Sequence, residues 1–198
     1  MSTAVYAMSA TESVEVLGGG RRAAADTHED RLRACFEAEA LPHLRSLYGT
    51  AYRMTRNAHD AEDLVQETCL RAYRAFAGYT PGTNIRAWLY TILHRVRTDA
   101  YRRSARRVST VELLDQGPGT PPPQDALANG GEEIERALLD LPEVFRTAVV
   151  LRDVQDFSYD EISRILDVPI GTVMSRIHRA RALLRQSLAA LRPLERRA

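Results

Sequence analysis

Lysine is absent from this 198-residue sequence, so all 27 basic residues are arginine. They nearly balance 26 acidic residues, and the net charge of +1 alone argues against a nucleic-acid ligand. The local distribution is uneven, however. Residues 95–107 and 176–185 are rich in arginine, whereas residues 60–67 carry four carboxylates and no basic residue. Separate basic and acidic patches predict two different kinds of partner.

Cysteines and long apolar runs are also scarce. Cys35 and Cys69 are too few for a disulfide framework or a metal site, and their apolar helical surroundings predict buried or half-buried free thiols. No run approaches the ~18–20 apolar residues that span a bilayer. The N-terminus lacks the continuous apolar core of a secretory signal. We therefore expect a cytoplasmic protein without membrane insertion, bound metal or cofactor.

Catalytic motifs are missing as well. The sequence has no carboxylates clustered at metal-ligand spacing, no glycine loop that would hold a phosphate, and no activated nucleophile. We predict that the chain is not an enzyme.

The helical periodicity of the sequence is interrupted by stretches rich in small residues and proline. Residues 1–27 lack periodicity and predict a disordered extension, and residues 108–131 are rich in Pro, Gly and short polar residues and predict a flexible linker. Residues 28–107 and 132–198 carry helical patterns without strand-type alternation. The prediction is an all-α protein with two small helical domains, the second containing a helix-turn-helix.

The helix-turn-helix is predicted by local signals near the C-terminus. Ser158 and Glu161 have the spacing of a capping box, and Pro169 suits the first turn of the next helix. That helix has an apolar stripe opposite polar and basic side chains, and the short helix, tight turn and longer helix are typical of a DNA-binding unit. The stripe comprises Ile170, Val173, Ile177, Ala180 and Leu184; the polar side comprises Thr172, Ser175 and Arg179, flanked by Arg176 and His178.

Two helices of the first domain carry unusual faces. The helix in "RNAHDAEDLVQETCLRAYRAF" places Leu70 and Tyr73 among outward carboxylates, which indicates either a protein contact or a solvated amphipathic surface. The helix that begins near Ile85 interleaves aromatic residues with arginines. Aromatic rings stack on unpaired bases while guanidinium groups hold phosphates, so this face suits a single nucleic-acid strand.

Taken together, several motifs resemble the extracytoplasmic-function (ECF) sigma factors of bacterial RNA polymerase, in particular the stress-response branch. They are "RMTRNAHDAEDLVQETCLRAYRAF", "PGTNIRAWLYTIL", "DAYRR" and "LPEVFRTAVVLRDVQDFSYDEISRILDVPIGTVMSRIHRAR", and they cover the chain from about residue 30 to 190. The resemblance implies a promoter-specificity factor whose region 2 spans residues 28–107 and whose region 4 spans residues 132–198. Its partners would be the clamp helices of the largest polymerase subunit, promoter DNA, and an anti-sigma factor.

The resemblance also implies roles for particular residues. Those expected to bind core polymerase are Asp60, Glu62, Asp63, Gln66 and Glu67. Those expected at the −10 element are Tyr79, Asn84, Tyr90, His94, Arg97, Thr98 and Tyr101. Those expected at the −35 element are Thr172, Ser175, Arg176, His178 and Arg179.

A free-standing helix-turn-helix regulator that binds duplex DNA as a dimer is the alternative hypothesis. It requires neither the acidic "DAEDLVQET" helix nor the aromatic and basic helix at residues 85–103, and both features therefore favour the sigma factor.

Overall fold

A computed structural model describes residues 19–80, 82–108 and 131–191. The regular secondary structure within these ranges consists of helices, which are joined by short turns. The first domain contains four helices and the second contains another four. Their bounds are α1 Gly19–Ala40, α2 Leu44–Thr55, α3 Ala58–Ala75, α4 Ile85–Val108, α5 Glu132–Asp140, α6 Glu143–Val149, α7 Tyr159–Leu166 and α8 Ile170–Leu191. The predicted all-α fold with two helical domains is confirmed.

In the first domain, helix ends are set by local chemistry and helix positions by apolar stripes. Asn57 caps α3, because its side-chain oxygen accepts from the backbone N–H groups of His59 and Asp60. The stripe of α3 packs against α2 and α4 around Leu47 and Leu89, neither of which is exposed to solvent. This core fixes the relative positions of the acidic face of α3 and the aromatic face of α4.

In the second domain, each turn has a visible cause. The backbone of Leu141 is extended, because the residue before a proline avoids the helical conformation, and α5 therefore ends at Asp140. A π-helical turn at Val150–Val154 then extends α6. The predicted capping box at Ser158 and Glu161 is confirmed. Asp167 adopts a left-handed conformation with φ 53°, which ends α7 and directs the chain into α8.

The two domains pack directly on one another. The rings of Tyr90 on α4 and Phe157 before α7 meet edge to face with centroids 5.0 Å apart. Both rings belong to one apolar cluster that includes side chains from both domains. The sequence gives no local signal for this packing, because each stripe is consistent with burial inside its own domain.

Two sequence predictions need correction. Residues 19–27 are helical rather than disordered, which agrees with the helix-forming run of arginine and alanine there; residues 1–18 lie outside the described part of the chain, as do residues 109–130 of the predicted linker. Cys35 is exposed, not buried, because the buried stripe of α1 runs through Phe36 and Ala40. Cys69 is half-buried, as predicted, and burial raises its pKa.

None of the helices in the described ranges is long and apolar enough to cross a membrane.

Candidate nucleic-acid and protein interfaces

The outward face of α8 carries polar and basic side chains, as the helix-turn-helix prediction requires. Val173, Ile177 and Ala180 anchor the opposite side of the helix and are almost fully buried. This anchoring leaves Ser175, His178 and Arg179 exposed and Thr172 and Arg176 half-buried. Ile170 departs from the predicted stripe, since it is 40% exposed at the start of the helix.

Only some of the α8 arginines are available to a ligand. Arg181 forms two hydrogen bonds with Asp153, with Nε 3.0 Å from Oδ2 and Nη2 2.5 Å from Oδ1. This pairing holds α8 against the segment that follows α6. Arg179 is exposed and takes no part in that pairing, so it is the better placed of the two to meet an external group.

A groove of about 800 Å³ lies between α3 and α4. Its α3 wall includes Asp60, Asp63, Gln66 and Glu67; the first three are exposed and Glu67 is half-buried. Glu67 accepts from Arg71, which also bonds Asp99 on α4. Glu62 is likewise exposed on α3. The structure therefore brings the predicted polymerase-binding residues together on one acidic face.

Apolar side chains lie beside these carboxylates. Leu70 on α3 is 51% exposed and Tyr101 on α4 is 64% exposed, and both line the groove. Exposed apolar groups rimmed by charges are typical of a protein-binding surface, so the geometry favours the protein-contact interpretation of this face.

The aromatic residues predicted at the −10 element have a different environment from the one expected. Tyr79 is 9% exposed, stacks on Phe76 and donates its hydroxyl to the Thr83 carbonyl. Tyr90 is 1% exposed, and its hydroxyl lies 3.2 Å from the hydroxyls of Thr50 and Ser46. The prediction that Tyr90 is an outward ring is wrong for this conformation, because α4 is buried on two sides instead of one.

Two polar members of the predicted −10 set, Asn84 and Arg97, form hydrogen bonds with the second domain. Asn84 donates to Glu161 at 2.6 Å and caps α4 by accepting from the Ala87 N–H. Arg97 bonds both carboxylate oxygens of Glu143, at 3.1 and 3.2 Å.

Two of the three remaining −10 candidates, His94 and Thr98, are half-buried along α4. Thr98 is half-buried and donates to the His94 carbonyl. His94 is half-buried, and the burial lowers its pKa. Tyr101 and Asn84 are thus the members of this set that the structure leaves exposed, and Tyr101 is the exposed aromatic one.

Sequence reasoning missed the residues that join the domains. Arg53 on α2 forms a buried ion pair with Glu135 on α5, and Arg86 on α4 bonds the Gln155 carbonyl and lies over the Phe157 ring, 4.2 Å from its centroid. These partners are 82 and 69 positions apart in the chain. No spacing rule links such distant residues.

Comparison with known families gives two matches that follow one another along the chain. Residues 41–107 match the model of sigma-70 region 2, and residues 131–184 match that of sigma-70 region 4. The described helices of residues 41–107 lie in the first domain, and those of residues 131–184 lie in the second domain.

Individual relatives agree with the family models. The chain is 42% identical over 152 residues to the ECF RNA polymerase sigma factor SigE of Mycolicibacterium smegmatis, an alignment that covers 74% of this chain and 59% of the relative. It is 38% identical over 150 residues to the ECF RNA polymerase sigma factor EcfG of Rhodopseudomonas palustris, covering 73% and 78%.

Solved structures are similar to the whole two-domain arrangement. The sigma factor RpoE of Bartonella quintana, solved in complex with the anti-sigma factor NepR, superposes with a TM-score of 0.69 at 30% identity, covering 78% of this chain and 96% of that one. CnrH, solved with the cytosolic domain of CnrY, gives 0.58 at 25% identity, covering 85% and 97%.

Proposed function

This chain belongs to the extracytoplasmic-function sigma factors of the sigma-70 family, and from that membership we propose that it directs RNA polymerase core to a specific set of promoters. One observation carries the proposal. The chain presents an acidic face with exposed apolar groups on α3 and a polar, basic face on the capped helix-turn-helix of α7 and α8. A promoter-specificity factor needs both surfaces, one for the polymerase and one for DNA.

The face of α3 binds the polymerase in this proposal. Asp60, Glu62, Asp63, Gln66 and Glu67 meet the basic clamp helices of the largest subunit, and opposite charge steers the encounter. Leu70 adds apolar area at the centre of the contact, where interfaces gain most of their affinity.

The face of α8 reads the −35 element. Its N-terminal half enters the major groove as the second helix of a helix-turn-helix. Arg179 and Arg176 are suited to bidentate contacts with guanine or to phosphates, and Ser175, Thr172 and His178 supply further hydrogen bonds.

The N-terminal part of α4 and the loop before it capture the −10 element. Asn84, His94, Arg97 and Thr98 supply polar contacts, and the exposed ring of Tyr101 stacks on separated bases, whereas the rings of Tyr79 and Tyr90 are buried in this arrangement. Catalysis belongs to the polymerase, and the factor acts in the cytoplasm without a cofactor. An anti-sigma factor controls its availability, as the complexes of RpoE with NepR and of CnrH with CnrY support.

Binding to core and promoter-directed synthesis together test the proposal. The purified chain should co-sediment with bacterial RNA polymerase core, and the resulting holoenzyme should give run-off transcripts from promoters that core alone does not use. Absence of association with core, together with tight autonomous binding to duplex operator DNA, would instead support the free-standing regulator.

A further inference from the structure

One arginine of the second domain is buried without hydrogen-bond partners for two of its nitrogen atoms. Arg146 on α6 is 5% exposed, and its Nε and Nη1 have no partner among the described residues. A guanidinium group stays charged at neutral pH and carries donors on all three nitrogens. Burying such donors unbonded costs free energy. Arg146 therefore requires an acceptor that the described residues do not supply.

Two further guanidinium groups lie near Arg146, and the three together are called the arginine cluster. Arg56 is exposed and follows the last residue of α2, which packs against α6. Arg97 on α4 reaches the start of α6 through its bonds to Glu143. Burial lowers the pKa of Arg146, and the charges of Arg56 and Arg97 lower it further. Cations from three helices thus meet at one place.

Two carboxylates lie near the arginine cluster without satisfying it. Both oxygens of Glu143 accept from Arg97, at 3.1 and 3.2 Å. Asp140 at the end of α5 is exposed, so water and salt screen its charge. Both carboxylates oppose the lowering of the Arg146 pKa, yet neither accepts from its Nε or Nη1. Within the described residues, the cluster therefore has three cations and one hydrogen-bonded carboxylate.

The groove between α3 and α4 leads toward this cluster. Its lining includes Thr55, Arg97 and Glu143, and Arg56 follows Thr55 in the chain. The carboxylates of the α3 wall disfavour an anion in the rest of the groove and leave the arginines as the favourable place for it. A small ion can follow this path, whereas a nucleic-acid backbone cannot reach a side chain that is almost fully buried.

Charge and hydrogen-bonding geometry select the class of ligand. The planar donors of a guanidinium group match the oxygens of a phosphate, which two of them can bind side by side. A phosphate group carries a charge of about −1.5 to −2 at pH 7, which balances the two cations that have no bonded carboxylate. A single carboxylate would balance only one. The cluster therefore fits a phosphate group better than an acidic side chain.

We propose that Arg56, Arg97 and Arg146 form a binding site for a phosphate group, either free or at the end of a small metabolite, between α2, α4 and α6. Nε and Nη1 of Arg146 donate to the phosphate from the buried side, and Arg56 donates from the solvent side. Arg97 adds charge while it remains bonded to Glu143. The site does not depend on the function proposed above, because neither polymerase nor promoter DNA takes part in it.

Thermal unfolding of the full chain tests the site, because a ligand that binds the folded state raises the midpoint of unfolding. Circular dichroism follows the unfolding at increasing concentrations of potassium phosphate, and potassium chloride keeps the ionic strength constant. The wild-type midpoint should rise along a curve for a single site. Phosphate also stabilises proteins in general by exclusion from their surface, so matched variants are needed to isolate the effect of the site.

Arg146→Met removes the buried cation and keeps an unbranched side chain in its place. In chloride, this variant should be at least as stable as the wild type, because it no longer buries an unpaired charge. In phosphate, the part of the rise that belongs to the site should be lost. The wild type should therefore gain on the variant as phosphate is added.

Arg56→Asn provides a second variant that changes only an exposed side chain. Asparagine tolerates the left-handed backbone of this position, where φ is 61°. The variant should bind phosphate about tenfold more weakly, the loss expected for one hydrogen bond between charged groups. Its matched control is Arg74→Asn, which removes an exposed arginine from the last turn of α3 and should respond to phosphate like the wild type.

Isothermal titration calorimetry distinguishes the two sources of the phosphate group. Inorganic phosphate and adenosine monophosphate are titrated separately into the wild-type chain and into Arg146→Met. Equal affinities of the wild type for both ligands would assign the site to the phosphate group alone. Tighter binding of adenosine monophosphate would assign it to a phosphorylated metabolite. Both ligands should fail to bind Arg146→Met.

Three results would overturn the proposal. An equal rise of the midpoint in the wild type and all variants would mean that phosphate acts only by surface exclusion. An Arg146→Met variant that is much less stable than the wild type in chloride would mean that the chain itself satisfies this arginine. If Arg146→Met does not fold, the comparison of Arg56→Asn with Arg74→Asn decides, and equal responses of these two would refute the site. A midpoint independent of phosphate, with weaker binding of non-promoter duplex DNA by Arg56→Asn, would assign the arginines to a DNA backbone instead.

Discussion

At the residue scale, the availability of each arginine decides its role more than the number of arginines does. Arg181 and Arg97 lie in the two basic patches of the sequence, yet both are paired with carboxylates of the second domain. Arg179 is exposed on the outward face of α8. A basic cluster in the sequence therefore overstates the number of side chains that are free to meet DNA.

Arg179→Ala should weaken promoter-specific transcription and leave core binding unchanged. A bidentate contact with guanine contributes about 1–3 kcal/mol, which corresponds to a loss of roughly 5- to 150-fold in promoter affinity. Run-off transcription and co-sedimentation with core measure the two properties. Arg185→Ala is the control, because this exposed arginine lies on the same helix but bonds the Arg181 carbonyl. Equal initiation by wild type and Arg179→Ala would remove Arg179 from the −35 set.

Asp63→Arg should impair association with core at every promoter. The substitution replaces an exposed carboxylate in the middle of the acidic face by a cation, so the clamp helices would meet a like charge. Binding to immobilised core at two salt concentrations measures the effect, which salt should reduce. Asp30→Arg, an exposed reversal on α1, should bind normally. If both variants bound core equally well, the assignment of α3 would be wrong.

At the element scale, the capping box positions α8, the helix proposed to read DNA. The Ser158 Oγ accepts from the Glu161 N–H at 3.3 Å, and the Glu161 carboxylate accepts from the Ser158 N–H at 2.8 Å. These bonds fix where α7 begins, and α7 and the Asp167 turn fix where α8 begins. Loss of the cap should therefore affect the stability of the second domain more than its chemistry.

Ser158→Ala should lower the free energy of unfolding by about 1 kcal/mol, the usual cost of removing a side-chain cap. Chemical denaturation followed by circular dichroism measures it. Ser175→Ala provides the comparison, since Ser175 is exposed in the interior of α8 and alanine is at least as good a helix former there. A cap that contributed nothing would leave the two variants equally stable.

Glu161 should make the free energy of unfolding of the second domain depend on pH in the acidic range. Its hydrogen bond from the Ser158 backbone holds the pKa of the carboxyl below its usual 4.5. A carboxyl group whose pKa is lower in the folded than in the unfolded state stabilises the fold at pH values above its unfolded pKa. This contribution is lost as the pH falls through the folded pKa. The stability difference between wild type and Glu161→Gln should therefore shrink below about pH 4.5 in denaturation experiments at several pH values. A difference independent of pH would contradict this role.

The sequence predicted those elements whose signals are local. Ser158 and Pro169 mark helix starts that the structure confirms, and the stripe of α8 predicted Val173, Ile177 and Ala180 as buried. The environment of Tyr90 could not be predicted, because its burial depends on Phe157 in the other domain. Periodicity indicates one buried stripe per helix and does not reveal a second one that forms when domains meet.

At the scale of the whole molecule, the surfaces proposed for polymerase and for the −35 element lie on different domains. The acidic face of α3 is largely exposed, whereas Asn84 and Arg97 of the proposed −10 set are bonded to Glu161 and Glu143 of the second domain. In this arrangement of the domains, the face proposed for polymerase is open to a partner and those two side chains are not.

Promoter recognition should therefore depend on core polymerase. In the free chain the outward face of α8 is exposed, but Asn84 and Arg97 are bonded to the second domain; the holoenzyme can use both domains on one DNA molecule and gain from their linkage. Electrophoretic mobility shifts with promoter duplex should show a specific complex with holoenzyme at concentrations where the free chain gives none. Specific, high-affinity binding of duplex by the free wild-type chain as a dimer would contradict the sigma-factor mechanism and favour an autonomous regulator.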